Sequence, residues 1–509
     1  MATSSELSLR RETILVPTKL LDTVQEQSVE LDCVLPDYYP DFFRLLSCMA
    51  EPVITHRELR DGFLILSLSV KIAVWYLAEN APLIQVMTQK LEYQKQIPWQ
   101  SDLSLSDVRL TVTPVVSYIN CRAVNSRRMD IRGAVRIAVQ ASGMTPRQVI
   151  SDAQGLYIHC KKEPVRFLAG ILRAEKRASL SESFSLAETQ SPLLSVLRAD
   201  ITVQVTDTRC MAGKLAVRGE VLVNLLYTAK DGAETAQFTL PISQILEPDG
   251  ISEEMPVSVQ AEVLEQLITT EADSSGDIRR LHLDLQIRFA CEAMKTASAE
   301  LVTDLYSTVY PVTGVCETLP LMTLPQQVEN RHSLRVTVTG GNAEISRVFA
   351  VWADVRDVSC ADGAAAEGNL HCSVLCADIS GTPMLLEHTE PFSLPCGCAS
   401  AEQPAVSVQN AEYTLTAADA VSVQVTLSVM GQGAAQTGRS LLTDVQADTG
   451  SRLPQSGDFA LRLYYAQAEE SLWEIAKRYH TAADAIMEEN DCRDGVLSSS
   501  QMLLIPIVP

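Results

Sequence analysis

Four cysteines in the C-terminal half of the chain have the residue type most suited to chemistry, because clustered thiolates bind zinc. They are Cys372, Cys376, Cys396 and Cys398. The first two alternate with leucine and valine, as on the apolar face of a strand, where cysteine behaves as a small hydrophobic residue. The second two form Cys-Gly-Cys, which lacks the C-x₂-C spacing of structural zinc. We therefore predict no metal site.

Motifs that would indicate catalysis are missing from the sequence. There is no Gly-rich phosphate loop, no H-E-x-x-H helix and no G-x-S-x-G elbow. The seven histidines are dispersed, and any pairing among the many carboxylates would be arbitrary. We expect a protein that is not an enzyme and needs no cofactor.

The last fifty residues carry the most specific pattern. Ser471 to Glu474 reads as a capping box, in which serine caps the third amide of a helix and glutamate reaches back. Apolar residues then follow one helical face. A second helix begins after Thr481 and is predicted to end at Asn490 in a left-handed conformation. Strands around Tyr465 and over 497–505 flank the helices, which predicts a small βααβ module.

Composition limits the partners of this chain. Acidic residues outnumber basic ones by 63 to 41, for a net charge of −22 over 509 residues. That balance argues against nucleic-acid binding, which needs lysine and arginine to displace counterions. No apolar run has the length of a membrane span, and the N-terminal segment lacks the pattern of a secretory signal. The 13 cysteines are an odd number, as expected for reduced thiols. We expect a cytoplasmic protein without a membrane span.

Three stretches beginning at Gly62, Gly213 and Gly368 share one pattern, at a spacing of about 150 residues. In each, apolar residues occupy every second position, as on the buried face of a strand, and a turn and a return strand follow. Within the first stretch's unit, residues 42–49 break the pattern and are predicted to form a short helix. The repeated, strand-rich pattern predicts tandem all-β domains.

We place domain boundaries near residues 148 and 300. The resulting organisation is repeat 1 at 1–148, repeat 2 at 149–300, a shortened repeat 3 at 301–430, a flexible linker at 431–458 and the βααβ module at 459–509. The linker is assigned from its Gly-, Ser-, Thr- and Gln-rich composition. The predicted fold class is mainly β.

The C-terminal module resembles a LysM domain. The resemblance comes from a Tyr-containing strand, a Ser-Leu helix start, Ile-Ala, an asparagine and a Gln-x-Leu-x-Ile-Pro ending. With the segment Pro36–Leu46 and the strand pairs from Leu64 and Leu215, the whole order resembles the SipL-like SPOCS-domain plus LysM spore coat and envelope morphogenetic proteins of endospore-forming clostridia.

That resemblance implies a non-enzymatic scaffold in the mother-cell cytoplasm, at the forespore surface. There its LysM would dock a SpoIVA-like coat-assembly ATPase. The repeats would offer sheet edges to other envelope proteins or to further copies of the chain. Two alternatives stay open, a peptidoglycan- or cortex-binding LysM wall protein and a cell-wall hydrolase.

The LysM resemblance also implies where a ligand binds, between the first strand–helix turn and the second helix–strand loop. The candidate partner-binding residues are Tyr465, Glu469, Glu470, Ser471, Leu472, Trp473, Asn490, Ser500 and Gln501. Where LysM domains have glycines in these turns, this chain has Glu469 and Ser500. Each replacement adds a Cβ where a sugar must approach the backbone closely.

We therefore expect this LysM to bind protein rather than glycan. Trp473 is the candidate interface anchor, since tryptophan is enriched among residues that dominate binding energy. From residue 459 onward the chain has eight acidic and four basic residues. An acidic module favours a basic patch on its partner.

Overall fold

The computed structural model describes residues 6–79, 81–211, 213–273, 275–322, 326–341, 343–361, 364–396, 405–433, 436–453, 461–492 and 494–506. Strands make up nearly all of its regular structure, and the two α-helices of the described residues lie in the C-terminal module. The mainly β fold class is confirmed. No described helix is long and apolar enough to span a membrane.

The first unit consists of two antiparallel sheets packed face to face. Its strands are β1 (Ser8–Val34), β2 (Phe42–Arg60), β3 (Phe63–Ala78), β4 (Ala81–Pro98), β5 (Val108–Asn125) and β6 (Arg128–Gln154), with a 3₁₀ helix (Leu105–Asp107) before β5. The sheet orders are β1-β6-β5 and β2-β3-β4. Alternate apolar side chains of β3 and β6 bury each other between the sheets, so the core is that of a β-sandwich.

The prediction of a short helix over residues 42–49 is wrong. These residues begin β2, which pairs with β3 along its whole length. Register shifts after Phe42 and Leu45 interrupt the alternation of side chains. Such bulges remove the period of two by which a strand is recognised in a sequence.

The second unit repeats the same arrangement. Its strands are β7 (Ile158–Ser185), β8 (Ser195–Met211), β9 (Lys214–Ala229), β10 (Gly232–Leu246), β11 (Val257–Ala272) and β12 (Ile278–Ser307). They form sheets of order β7-β12-β11 and β8-β9-β10. Each of the two units has an equivalent tyrosine hydrogen bond, which shows how their residues correspond. Tyr76 donates to the Pro40 carbonyl and Tyr227 to the Ser191 carbonyl, both at 3.2 Å.

The third unit has the same topology with its two longest strands broken. Its strands are β13 (Val312–Met322), β14 (Gln326–Thr339), β15 (Ile345–Ala361), β16 (Ala365–Asp378), β17 (Pro383–Pro395), β18 (Ala405–Ala417), β19 (Ala420–Gly433) and β20 (Gln436–Ala447). The sheet orders are β14-β19-β18, β15-β16-β17 and β13-β20. Thus β13 with β14 replaces one long first strand, and β19 with β20 one long last strand.

The structure corrects the predicted linker and the shortened third repeat. Residues 436–447 form β20, which pairs with β13 more than a hundred residues earlier, and Leu441 and Leu442 are buried. Asp448 and Leu453 then donate backbone hydrogen bonds to the Pro311 and Val309 carbonyls. The predicted boundaries at 148 and 300 fall inside β6 and β12. We therefore propose boundaries in the loops at 155–157 and 308–311, and a third unit that extends to 447.

The three units contribute equivalent positions to shared cores. One core takes two residues from the first strand and one from the last strand of each unit: Ile14, Val16 and Val149; Val165, Phe167 and Leu301; Leu319, Leu321 and Leu441. A second core joins the ends of β3, β9 and β16 through Trp75, Leu226 and Leu375. Because every unit touches the other two, the units close into a three-part ring.

The C-terminal module has the predicted βααβ order. It consists of β21 (Leu461–Ala466), α1 (Leu472–Tyr479), α2 (Ala483–Glu489) and β22 (Gln501–Pro506). The two strands pair antiparallel, and the helices pack over one face of the pair around Leu472, Ile475 and Ile486.

Candidate functional site

The turn that leads into α1 is held by Glu470. Its carboxylate accepts hydrogen bonds from the Gln467 backbone N–H at 2.9 Å and the Tyr464 hydroxyl at 2.7 Å. These hydrogen bonds lower the pKa of Glu470 below its ordinary value. Glu470 therefore stabilises the turn, and both of its carboxylate oxygens accept hydrogen bonds from groups of the module itself.

The predicted capping box does not form. Ser471 is the N-cap of α1, yet among the described residues its side chain makes no capping hydrogen bond. Its backbone forms an isolated bridge with Val496, and the Leu472 N–H donates to the Gly495 carbonyl at 2.8 Å. The backbone of the loop before β22 thus accepts a hydrogen bond from the first N–H group of the helix, in place of a side-chain cap. Leu472 itself is buried in the core and faces away from any partner.

Asn490 is a structural residue, and its predicted left-handed conformation is wrong, since φ is −111°. Its side-chain N–H groups donate to the Ile486 and Leu504 carbonyls at 2.8 and 2.7 Å, and its oxygen accepts from the Leu504 N–H at 2.7 Å. These bonds tie α2 to β22. The left-handed helix exit belongs to His480, at the end of α1.

Glu469 and Ser500 lie together on an exposed rim where the two predicted turns meet. Glu469 has a φ of 68°, a conformation that favours glycine, and its N–H donates to the Leu497 carbonyl at 2.8 Å. Ser500 accepts from the Ala468 N–H at 3.1 Å. Gln501 is half-buried, and its amide donates to the Cys492 sulfur. Within the predicted site, the rim therefore presents an exposed charged side chain, that of Glu469, to solvent.

Tyr465 lies on the outer face of the β21–β22 pair. It is 60% exposed, beside Leu463 at 68% and Met502 at 63%. Tyr465 and Met502 are directly opposite each other in the register. This apolar outer face therefore begins next to the rim formed by Glu469 and Ser500.

Trp473 contacts another part of the same chain. Its indole N–H donates to Asp304 at 2.7 Å, and Lys477, one turn later on α1, reaches both oxygens of Asp304 at 2.6 and 2.8 Å. Asp304 lies near the end of β12 in the second unit. Charge-assisted hydrogen bonds of this kind are among the stronger polar contacts. The module is thus fixed to the second unit by the residue we predicted as an anchor for a partner.

Tyr306 completes this internal interface. Its ring is buried in the core of the module, at 4.9 Å from Trp473 in an edge-to-face arrangement and stacked on His159 at 5.4 Å. Its hydroxyl donates to the Thr481 carbonyl at 2.7 Å. Burial raises the pKa of Tyr306 and lowers that of His159, the latter partly offset by the charge of Asp484. The LysM module and the second unit therefore share one core.

Sequence reasoning missed Asp304, Tyr306 and His159. His159 lies at the start of β7, and Asp304 and Tyr306 lie near the end of β12. The contacts of Asp304 with α1 span 169 to 173 positions of the chain. No local spacing marks such a pair. The sequence indicated this interface only through Trp473, a tryptophan predicted to be an interface anchor. It did not indicate which residues Trp473 would contact.

The electrostatics of the free surface are acidic. In the described part of the module, Lys477 pairs with Asp304 and Arg478 with Glu470. Exposed carboxylates remain on the rim, on both helices and in the loop between α2 and β22. They include Glu469, Glu474, Asp484, Glu488, Glu489, Asp491 and Asp494. A basic partner surface would complement this distribution.

Within the described residues, no group of three or more His, Cys, Asp or Glu side chains is placed to hold a metal. Cys372, Cys376 and Cys396 are buried in the core of the third unit, where burial raises the pKa of the first two to about 11. Cys398 lies outside the described residues. A cavity of about 1630 Å³ opens between the three units, and its charges are largely paired, as in Arg198 with Asp200 and Asp354.

Two family models match the chain. A SipL, SPOCS domain model matches residues 192–270, which span β8 to β11 of the second unit, and a LysM domain model matches residues 464–506. No curated protein and no solved structure matches. The chain therefore combines a SPOCS domain with a LysM domain, as in SipL-like proteins, which confirms the resemblance drawn from the sequence. Both domain families are non-catalytic.

Proposed function

We propose that the protein is a non-enzymatic sporulation scaffold whose LysM module docks a protein of the spore envelope, a SpoIVA-like coat-assembly ATPase. It would work in the mother-cell cytoplasm, at the forespore surface. The support from the comparisons is the domain combination, which is that of a sporulation-related, envelope-binding protein. The ring of three units would serve as a rigid platform for the module.

The observation that carries the proposal is Glu469 on the exposed rim. It holds a charged side chain in a backbone conformation that favours glycine, where a glycan-binding LysM needs close access to the backbone. Keeping a carboxylate there has a conformational cost. That cost is understandable if the carboxylate meets a basic group of a partner protein. Trp473, in contrast, supports the proposal only indirectly, by fixing which side of the module faces outward.

One alternative has an observation in its favour. The match to the LysM model over residues 464–506 supports binding to peptidoglycan, the ligand class of many LysM modules. The protein would then be a wall- or cortex-binding LysM protein, and the rim would accept N-acetylglucosamine chains despite its carboxylate.

The test uses the full chain, because the module shares its core with Tyr306 of the second unit. The tagged chain is incubated with lysate of sporulating cells, with and without excess soluble peptidoglycan fragments, and is separately sedimented with purified sacculi. We expect a coat-assembly ATPase, identified by mass spectrometry, to be retained in both lysate samples. Sedimentation with sacculi, together with loss of the ATPase to the glycan competitor, would favour the alternative.

A further inference from the structure

Cys48 and Cys121 face each other across the seam between the two sheets of the first unit. Cys48 lies on β2 opposite Val74, and Cys121 lies on β5 opposite Ile131. Both strands are edges of their sheets and pack side by side without pairing. Both cysteines are half-buried and pack against the core between the two sheets. On either side of them, the Phe42 N–H donates to the Ser126 carbonyl and the Arg57 side chain to the Leu110 carbonyl, so the antiparallel seam brings Cys48 and Cys121 to the same level.

The other two units have no sulfur at the equivalent positions. The strand that carries Cys48 is matched across the units through Trp75, Leu226 and Leu375, which occupy equivalent positions in one shared core. The strand that carries Cys121 is matched through Val149, Leu301 and Leu441 in the other. The equivalent residues are Ala199 and Ile268 in the second unit, and Val351 and Tyr413 in the third. Residues without sulfur are therefore sufficient to pack this seam, and the two thiols of the first unit are not required for its packing.

The two thiols are also unequal. The neighbouring Cys48 thiol lowers the pKa of Cys121, whereas the Cys121 thiol and burial raise the pKa of Cys48. Because the thiolate is the nucleophile in disulfide exchange, Cys121 attacks first and Cys48 is the resolving thiol beside it.

We propose that Cys48 and Cys121 are a redox-active pair that forms a reversible disulfide across the seam of the first unit. The oxidant is a low-molecular-weight disulfide. The Cys121 thiolate attacks one of its sulfurs and releases the first small thiol. The Cys48 sulfur then attacks the Cys121 sulfur of the mixed disulfide, gives up its proton, and releases the second small thiol. The two protein thiols lose two electrons and two protons, and both small thiols gain them.

The crosslink would join two edge strands that belong to different sheets. Closing the loop between residues 48 and 121 restricts the unfolded chain, so the oxidised first unit should unfold at higher denaturant concentration than the reduced one. Reduction by small thiols would restore the open seam. The pair thus provides a redox-dependent change in rigidity on the first unit, whereas the LysM module is anchored to the second.

The test treats the reduced full chain with oxidised glutathione, blocks remaining thiols with N-ethylmaleimide and maps peptides without reduction. We expect a peptide pair joined through Cys48 and Cys121, at a mass two hydrogens below the sum of the reduced peptides. Cys48→Ala, which installs the residue found at Ala199, should abolish the pair and leave glutathione on Cys121. Cys33→Ala, a change at a buried thiol near Cys121, should preserve it.

Exposed Cys316 reports that the oxidant has reacted with the protein. If Cys316 carries glutathione while Cys48 and Cys121 are both alkylated, the proposal is wrong. A stable glutathione adduct on Cys121 of the unchanged chain, with Cys48 alkylated, would also overturn it. So would a crosslink that joins Cys121 to Cys33. These outcomes come from the unchanged chain and do not depend on whether a variant folds.

Discussion

The indole nitrogen of Trp473 and a carboxylate oxygen of Asp304 lie 2.7 Å apart, and this contact joins the LysM module to the second unit. Lys477 binds the same carboxylate, and Tyr306 packs against the indole ring. The module is consequently held in one orientation, with its acidic rim and the apolar outer face of β21 and β22 directed away from the ring.

Replacing Asp304 should loosen the module while leaving the ring folded. Asp304→Asn removes the charge that pairs with Lys477 and weakens the bond to Trp473, and we expect docking to lose about 1–2 kcal/mol. Hydrogen exchange of residues 461–492 in the full chain measures the effect, as faster exchange in α1. Glu474→Gln, a change at an exposed carboxylate on the same helix, is the matched control. Equal exchange in both variants would show that Asp304 does not hold the module.

Acidification should weaken the same interface through His159. Burial lowers the pKa of His159 below its ordinary value of 6.5, so the folded state favours the neutral ring. As the pH falls below 6.5, the unfolded chain binds the proton more readily, and stability decreases until the folded pKa is passed. When the pH is lowered from neutral to acidic, the melting temperature of the unchanged chain should therefore fall more than that of His159→Gln. A constant difference across that range would contradict the assignment.

Glu292 should be a strong link between the first and second units. Burial would raise the pKa of its carboxyl, but hydrogen bonds and charge from Arg109 and Arg173 outweigh burial and lower it. Glu292→Gln leaves two half-buried guanidinium groups without their common carboxylate, and we expect about 3 kcal/mol less stability. Chemical unfolding measures this, with exposed Glu300→Gln on the same strand as control. The loss should shrink as the pH falls and Glu292 is protonated in the unchanged chain.

Truncation should distinguish a flexible linker from a structural strand. A chain ending at 453 keeps β20 and should retain a cooperative unfolding transition. A chain ending at 433 removes the partner of β13 and exposes Leu319 and Leu321 of the shared core. We expect that shorter chain to bind a hydrophobic dye and to lose cooperativity. Identical behaviour of the two chains would mean that residues 436–447 act as a linker.

Strand patterns could be read from the sequence where one face of a strand is buried and the other is not. The alternation at Leu64, Leu66 and Leu68 predicted β3 correctly, since these side chains fill the sandwich core. The same reasoning failed at β20. Leu441 and Leu442 are adjacent and both buried, because their side chains enter two different shared cores on opposite faces of the strand. Its partner lies far away in the chain, so the Gly-, Ser-, Thr- and Gln-rich composition indicated a linker.

The candidate site was predictable in its outline but not in its individual roles. The spacing of the LysM residues placed Glu469 and Ser500 correctly in the two turns that meet. Local sequence could not show that Asn490 ties α2 to β22 or that the backbone of the 495–497 loop replaces the cap of Ser471. Both roles depend on how the return strand closes over the helices, which is a tertiary property.

The most direct test of the central claim is the affinity of the full chain for a purified SpoIVA-like ATPase, measured with Glu469→Lys and with Glu488→Lys as the matched charge control. Reversing the rim charge should weaken binding at least about tenfold, a loss of about 1.4 kcal/mol, while the control on α2 changes it little. Excess peptidoglycan fragments should not displace the ATPase. An unchanged affinity for Glu469→Lys, or displacement by the fragments, would contradict a protein-docking rim.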